Sequence, residues 1–159
     1  MNQPEDAFNS PYAGAGHDQA RHVPIFLHRA RDAMAARMRA VFDPHDLTDA
    51  QWRVLRLLSV VETVDTTELA RRCFLLGPSV SRIVRDLSER GLMARRLSAE
   101  DARRSLHSIT PQGRALVQEI VPQFDPLYEQ IERDMGIEDL GRLNALLARL
   151  AQVLAGPST

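Results

Sequence analysis

Between Asp18 and Phe42 apolar side chains recur every three or four positions, at Val23, Leu27, Ala30, Met34, Met38 and Val41. That period predicts one helix of about 20 residues with a single apolar stripe. It ends before Asp43-Pro44, because a residue preceding proline avoids the helical region. The stretch LTDAQWRVLRLLSVV repeats the period. Thr48 stands where a cap is wanted, Gln51 three positions later completes a capping box, and Trp52, Val54, Leu55 and Leu58 supply the buried face. After a linker, ETVD, the segment TTELARRC reads as a third helix capped by Thr66, with Leu69 and Cys73 one turn apart on its inner side beside Leu76. FLLG is a turn, and Pro78 opens a fourth helix at its first position, where a missing N–H costs nothing. In PSVSRIVRDLSERG the residues Val80, Ile83, Val84 and Leu87 form an i, i+3, i+4, i+7 stripe, and Gly91 supplies the stop.

The opposite face of the fourth helix is Ser79, Ser81, Arg82, Arg85, Asp86 and Ser88. Two short helices joined by a tight turn, the second with a small, polar and basic outer face, form the pattern of a helix-turn-helix. LMARRL and RSLHSIT then pair as short antiparallel strands around the turn SAED, which adds a wing. Thr110-Pro111 starts a fifth helix, and Pro122 and Pro126 interrupt it near its middle. The last helix is apolar on most sides, from Leu140 through Leu146 and Leu150 to Leu154. That is more than one small domain buries, and it argues for a homodimer interface built from both ends of the chain.

The expected fold is therefore mainly α, a winged helix-turn-helix lobe over residues 48–110 with helical dimerisation segments at 18–42 and 111–155. It has six helices, and the hairpin lies between the fourth and fifth. Residues 1–17 mix prolines and glycines with polar residues and show no period, so they read as a disordered N-terminal tail outside the single domain 18–155.

Composition narrows the function. The chain has 159 residues, enough for one domain with a real core, and its single cysteine excludes an internal disulfide. No apolar run approaches ~20 residues and the N-terminus has neither the basic start nor the apolar stretch of a signal peptide, so a cytoplasmic protein without membrane contact is expected. The five histidines show no paired metal-ligand spacing, and no cofactor is implied. No nucleophile–base pair or phosphate loop is present either, and an enzyme is not expected. The net charge of −1 hides an asymmetry: residues 71–104 hold nine arginines against four acids, a local balance of +5 that leaves −6 for the remainder. Every basic residue is arginine, so the preference over lysine says nothing, but the clustering does. A basic middle on a slightly acidic chain is the footprint of a polyanion-binding face.

The order and spacing of LTDAQWRVLRLL, the ELA of TTELARRC, RGLM, the D-x-R of EDARR and the ITPQG at its exit resemble the MarR family of bacterial transcriptional regulators. Within it, ARDAMAARMR, QWRVLRLL and RRCFLLGPS are similar to the branch typified by the homoprotocatechuate-degradation regulator. The resemblance covers roughly residues 20–155. It implies a homodimer whose two winged helices read a near-palindromic double-stranded DNA operator, usually as a repressor released by a small aromatic or heteroaromatic carboxylic acid.

Candidate roles follow. On the recognition helix Ser79, Ser81 and Arg82 are expected at base edges and Arg85 at phosphate. In the wing, the resemblance assigns Arg103 to the minor groove and Asp101 to holding its guanidinium. Arg104 is expected on the other face, toward phosphate or solvent, and one of Arg95 and Arg96 meets the DNA backbone. For an aromatic acid the candidates are His28, Arg31, Arg39 and Arg53 for the charged or hydroxyl groups, with Phe26, Met34 and Trp52 as apolar walls. Two alternatives stay open: redox sensing through Cys73, and a dimeric protein-binding adaptor with the same fold.

Overall fold

The computed structural model describes residues 19–98 and 104–155. Helix α1 (Gln19–Phe42) is followed by one 3-10 turn, Asp43–His45, and by α2 (Asp49–Val60). The α2 start is a complete capping box: the Gln51 N–H donates to the Thr48 hydroxyl at 3.2 Å, and the Thr48 N–H donates to Gln51 Oε1 at 2.7 Å. A two-residue strand, β1 (Val64–Asp65), leads into α3 (Thr66–Arg72), a turn and α4 (Gly77–Glu89). The wing strands β2 (Met93–Leu97) and β3 (Ser105–Ile109) pair antiparallel, and β1 adds to β3, giving the order β1-β3-β2.

Four local expectations change. The ETVD linker contains β1, whose two residues are too few to carry a period and whose partners, Leu106 and His107, lie some 40 positions on. The cap of α3 is Asp65 and not Thr66: Asp65 Oδ1 accepts the Glu68 N–H at 2.9 Å, while the Thr66 hydroxyl meets His107 Nε2 at 2.9 Å. Pro78 is second in α4, which opens at Gly77. Leu76, expected beside Cys73, is the cap residue of α4, and its extended backbone turns the side chain into solvent.

The C-terminal third divides at its prolines into α5 (Pro111–Ile120), a 3-10 turn at Val121–Phe124 and α6 (Asp125–Met135), so the last helix is α7 (Ile137–Ala155). A proline inside a helix removes a donor and crowds the preceding turn. Here the tighter turn lets Phe124 enter the core, where its ring lies 5.6 Å from both Phe42 and Trp52. Leu55, Leu58, Leu69, Val80, Leu87 and Ile120 complete the enclosed centre. The apolar stripe of α1 divides: Met38 and Val41 pack on that core, while Leu27 and Met34 stay exposed. Helix α7 buries no residue in the single chain, with Leu146 62% and Leu154 74% exposed.

Candidate nucleic-acid interface

Burial of Val80, Ile83, Val84 and Leu87 fixes the rotation of α4 and leaves Ser79, Ser81, Arg82 and Arg85 exposed. The register of the wing then places its two strand arginines on opposite faces. Met93 is buried and Arg95 lies opposite buried His107, so the alternation of a strand places Arg95 on the side that faces α4 and Arg96 on the other, opposite Leu106. Between α4 and the wing runs an open groove of ≈ 670 Å³ lined by Ser81, Arg85 and Ser88 from α4, Arg95 from β2, and Ser105 and His107 from β3. The Arg95 Nε–H donates to Ser105 Oγ at 2.9 Å, which extends the guanidinium along the groove. The structure therefore gathers Ser81, Arg85 and Arg95. Ser79 and Arg82 continue the same exposed helix surface, and Arg96 stands exposed on the far side of β2. Asp101 and Arg103 lie outside the described residues.

Arg104 differs from expectation. Its guanidinium is bound to the Asp65 carboxylate, where the sequence reading directs it to phosphate or solvent. The Glu68 N–H and then Arg104 hold the Asp65 carboxyl below the usual carboxylate range, so the cap of α3 also fixes the returning strand of the wing. Sequence reasoning also passed over His107. The period of two that points Ile109 inward points His107 inward as well. Its ring is 2% exposed, with Nε2 on Thr66 and no partner for Nδ1. Burial, then Arg95, pushes its pKa below the ordinary 6.5.

A second polar chain joins α4 to the start of α2. Gln51 Nε2 donates to Asp86 Oδ2 at 2.6 Å, Arg90 lies 3.7 Å from Asp86, and Arg90 donates to the carbonyls of Asp46 and His45 at 2.8 and 2.9 Å. The position of the recognition helix is thereby tied to the α1–α2 junction.

The seven effector candidates do not meet in one cleft of the single chain. Phe26, His28, Arg31 and Arg39 are exposed along α1, and Arg31 lies 3.6 Å from Asp32. Met34 lines a shallow ≈ 280 Å³ cleft between α1 and α6, where Arg37 donates to Gln130 at 2.6 Å. Trp52 is inside the cluster of Phe42, Phe124 and Tyr128. Arg53 turns the other way, toward Asp49 at 3.2 Å and the Cys73 carbonyl at 2.6 Å. The Cys73 thiol is buried, and burial pushes its pKa up despite Arg53 and Arg72 nearby. Among the described residues no group of three or more His, Cys, Asp or Glu is placed to hold a metal ion, and no helix is long and apolar enough to cross a membrane.

Comparison with known proteins places this geometry. Residues 45–104 match the sequence model of the MarR family. The HTH-type transcriptional regulator FarR of Neisseria gonorrhoeae is 35% identical over 137 residues, which cover 85% of this chain and 94% of that protein. The homoprotocatechuate degradative operon repressor of Escherichia coli is 33% identical over 125 residues, 79% of this chain and 84% of the repressor. Among solved structures, NadR in complex with 4-hydroxyphenylacetate superposes with a TM-score of 0.73 at 33% identity, over 91% of this chain and 98% of NadR.

Proposed function

Because the chain belongs to the MarR family of transcriptional regulators, we propose that it binds a near-palindromic operator as a homodimer and represses transcription until a small aromatic acid releases it. The observation that carries this reading is the exposed Ser79, Ser81, Arg82 and Arg85 face of α4 beside a polar groove lined by Arg85, Glu89 and Arg95. Serines and arginines at the N-terminal part of a recognition helix match base edges and phosphates of a major groove. Residues 48–110 form the reading lobe, and 18–42 with 111–155 form the dimerisation region.

The effector class rests on two relatives: the name of the E. coli repressor refers to homoprotocatechuate degradation, and the NadR structure holds 4-hydroxyphenylacetate. In this chain the cleft between α1 and α6 offers Met34, Leu127 and Ile131 as apolar walls for a single-ring acid and Arg37 as a cation at its edge.

Fluorescence anisotropy on an operator selected from random duplex DNA tests the proposal. Affinity should fall by at least tenfold between 50 and 200 mM salt, since phosphate contacts release counterions. 4-Hydroxyphenylacetate or a related ring acid should weaken binding and raise the thermal midpoint by mass action. Affinity that does not respond to salt sinks the operator reading. Release by none of a panel of phenolic and pyridine carboxylic acids sinks the effector reading alone.

A further inference from the structure

The turn between α3 and α4 is made of residues its geometry disfavours. Phe74 has φ 51°, in the left-handed region that crowds any residue with a Cβ and that glycine adopts freely. Leu76 is the cap of α4, with φ −79° and ψ 147°, and its side chain bonds no N–H of the first turn, where Ser, Thr, Asp or Asn would accept one. Both side chains stand in solvent, Phe74 87% and Leu76 79% exposed, while Leu75 between them packs against the core. The turn therefore accepts a strained backbone, an empty cap and exposed apolar surface at once, and neither Phe74 nor Leu76 gains packing in return. Positions that break local rules without compensation in the fold are those where a partner sets the residue.

The surroundings identify that partner. Around the turn Arg71 and Arg72 are exposed but paired with Glu68, at 2.6 and 4.0 Å, and Arg82 and Arg85 stand exposed on the first turns of α4. A cationic frame around an apolar pair fits a polyanion that itself displays an apolar group. In the major groove that group is the C5-methyl of thymine, and the residues that reach base edges are those at the N-terminus of the recognition helix. We propose that Leu76 reads a thymine methyl group in each operator half-site, with Phe74 packed against the neighbouring deoxyribose. This proposal rests on the operator-binding reading above.

The test replaces each operator thymine in turn by deoxyuridine, which deletes only the methyl group, and measures affinity for the wild type, Leu76→Ser and Phe74→Gly as full-length proteins. One buried methyl is worth about fourfold in affinity, so one thymine per half-site should show about a fourfold loss with the wild type and none with Leu76→Ser. Both variants should keep the wild-type fold and melt about 3 °C higher, because serine fills the cap and glycine relaxes the turn, while both bind the operator more weakly. A wild type that binds DNA with equal affinity for every thymine and uracil operator overturns the proposal and leaves the operator reading standing. A wild type that selects no DNA overturns both. Operator affinity unchanged in Leu76→Ser, together with loss of a concentration-dependent association seen in the wild type, overturns the proposal in favour of a protein contact.

Discussion

His107 is enclosed by four elements: β1 through Val64, β2 through Arg95, the start of α3 through Thr66, and α4 across the groove through Ser81 and Ser88. The charged groups bearing on it are Arg95, which disfavours its cation, and Asp65, which favours it but is itself held by Arg104. Burial is the largest effect, and it disfavours the imidazolium in the folded protein. The folded-state pKa is below the unfolded value of 6.5, so below about pH 6.5 the unfolded chain binds more protons and stability falls with pH until the folded-state pKa is passed. The urea midpoint should therefore drop between pH 7.5 and pH 5, and the drop should shrink in His107→Gln, which keeps a partner for Thr66 without titrating. An equal pH dependence in both proteins would mean that other groups set it.

At the scale of elements, the exit of the wing depends on one close approach. The Thr110 N–H donates to the Leu92 carbonyl at 3.2 Å, its hydroxyl donates to the Gly91 carbonyl at 2.7 Å, and the same hydroxyl accepts the Gly113 N–H at 3.0 Å. Helix α5 is thereby pressed against the end of α4. A Cβ at Gly113 would collide with the Leu92 carbonyl oxygen and stand 3.0 Å from Ile109 Cγ1. Gly113→Ala should then cost about 3 kcal/mol in chemical denaturation, and a loss under 0.5 kcal/mol would show that α5 can move away freely. The sequence makes Thr110 and Pro111 legible as a helix start, but the reason for glycine lies 21 residues away in the chain. The same distance rule explains other outcomes. Periodicity identifies the four buried residues of α2 and the four of α4. It does not show that Asp65 caps α3 in place of the expected Thr66, whose hydroxyl meets His107, nor that Arg95 and Arg96 lie on opposite faces, which the strand register fixes. Leu76 sits four positions before Val80 and by spacing belongs to the buried stripe; its extended cap geometry sends it outward.

For the whole molecule, charge and exposed apolar surface are both unevenly distributed along the chain. Arginine outnumbers acid over residues 71–104 and along α1, while α6 and α7 carry more acids than arginines, among them Asp125, Glu129, Glu132, Asp134, Glu138 and Asp139. DNA is attracted to the wing and recognition helix and repelled by the C-terminal helices. The exposed apolar residues divide differently: Val60, Phe74, Leu76 and Leu97 lie in the reading lobe, and Phe26 and Leu27 on α1 with Leu143, Leu146, Leu147, Val153 and Leu154 on α7 lie outside it. Exposed apolar residues at helical spacing, as on α7, mark an association face. A dimer formed there presents two recognition helices, with half-sites about 10 base pairs apart. Leu146→Glu places a charge in that face without touching the core, since α7 buries no residue in the single chain. Light scattering should then give the monomer mass of 17.8 kDa in place of twice that value, with helical content by circular dichroism retained to separate dissociation from unfolding. Operator affinity should fall by about 10²- to 10⁴-fold, the gain that linking two half-site contacts supplies, while the salt dependence per half-site persists. A Leu146→Glu protein that remains a dimer with wild-type affinity would move the interface to another surface, and α1 with Phe26 and Leu27 is the next to probe.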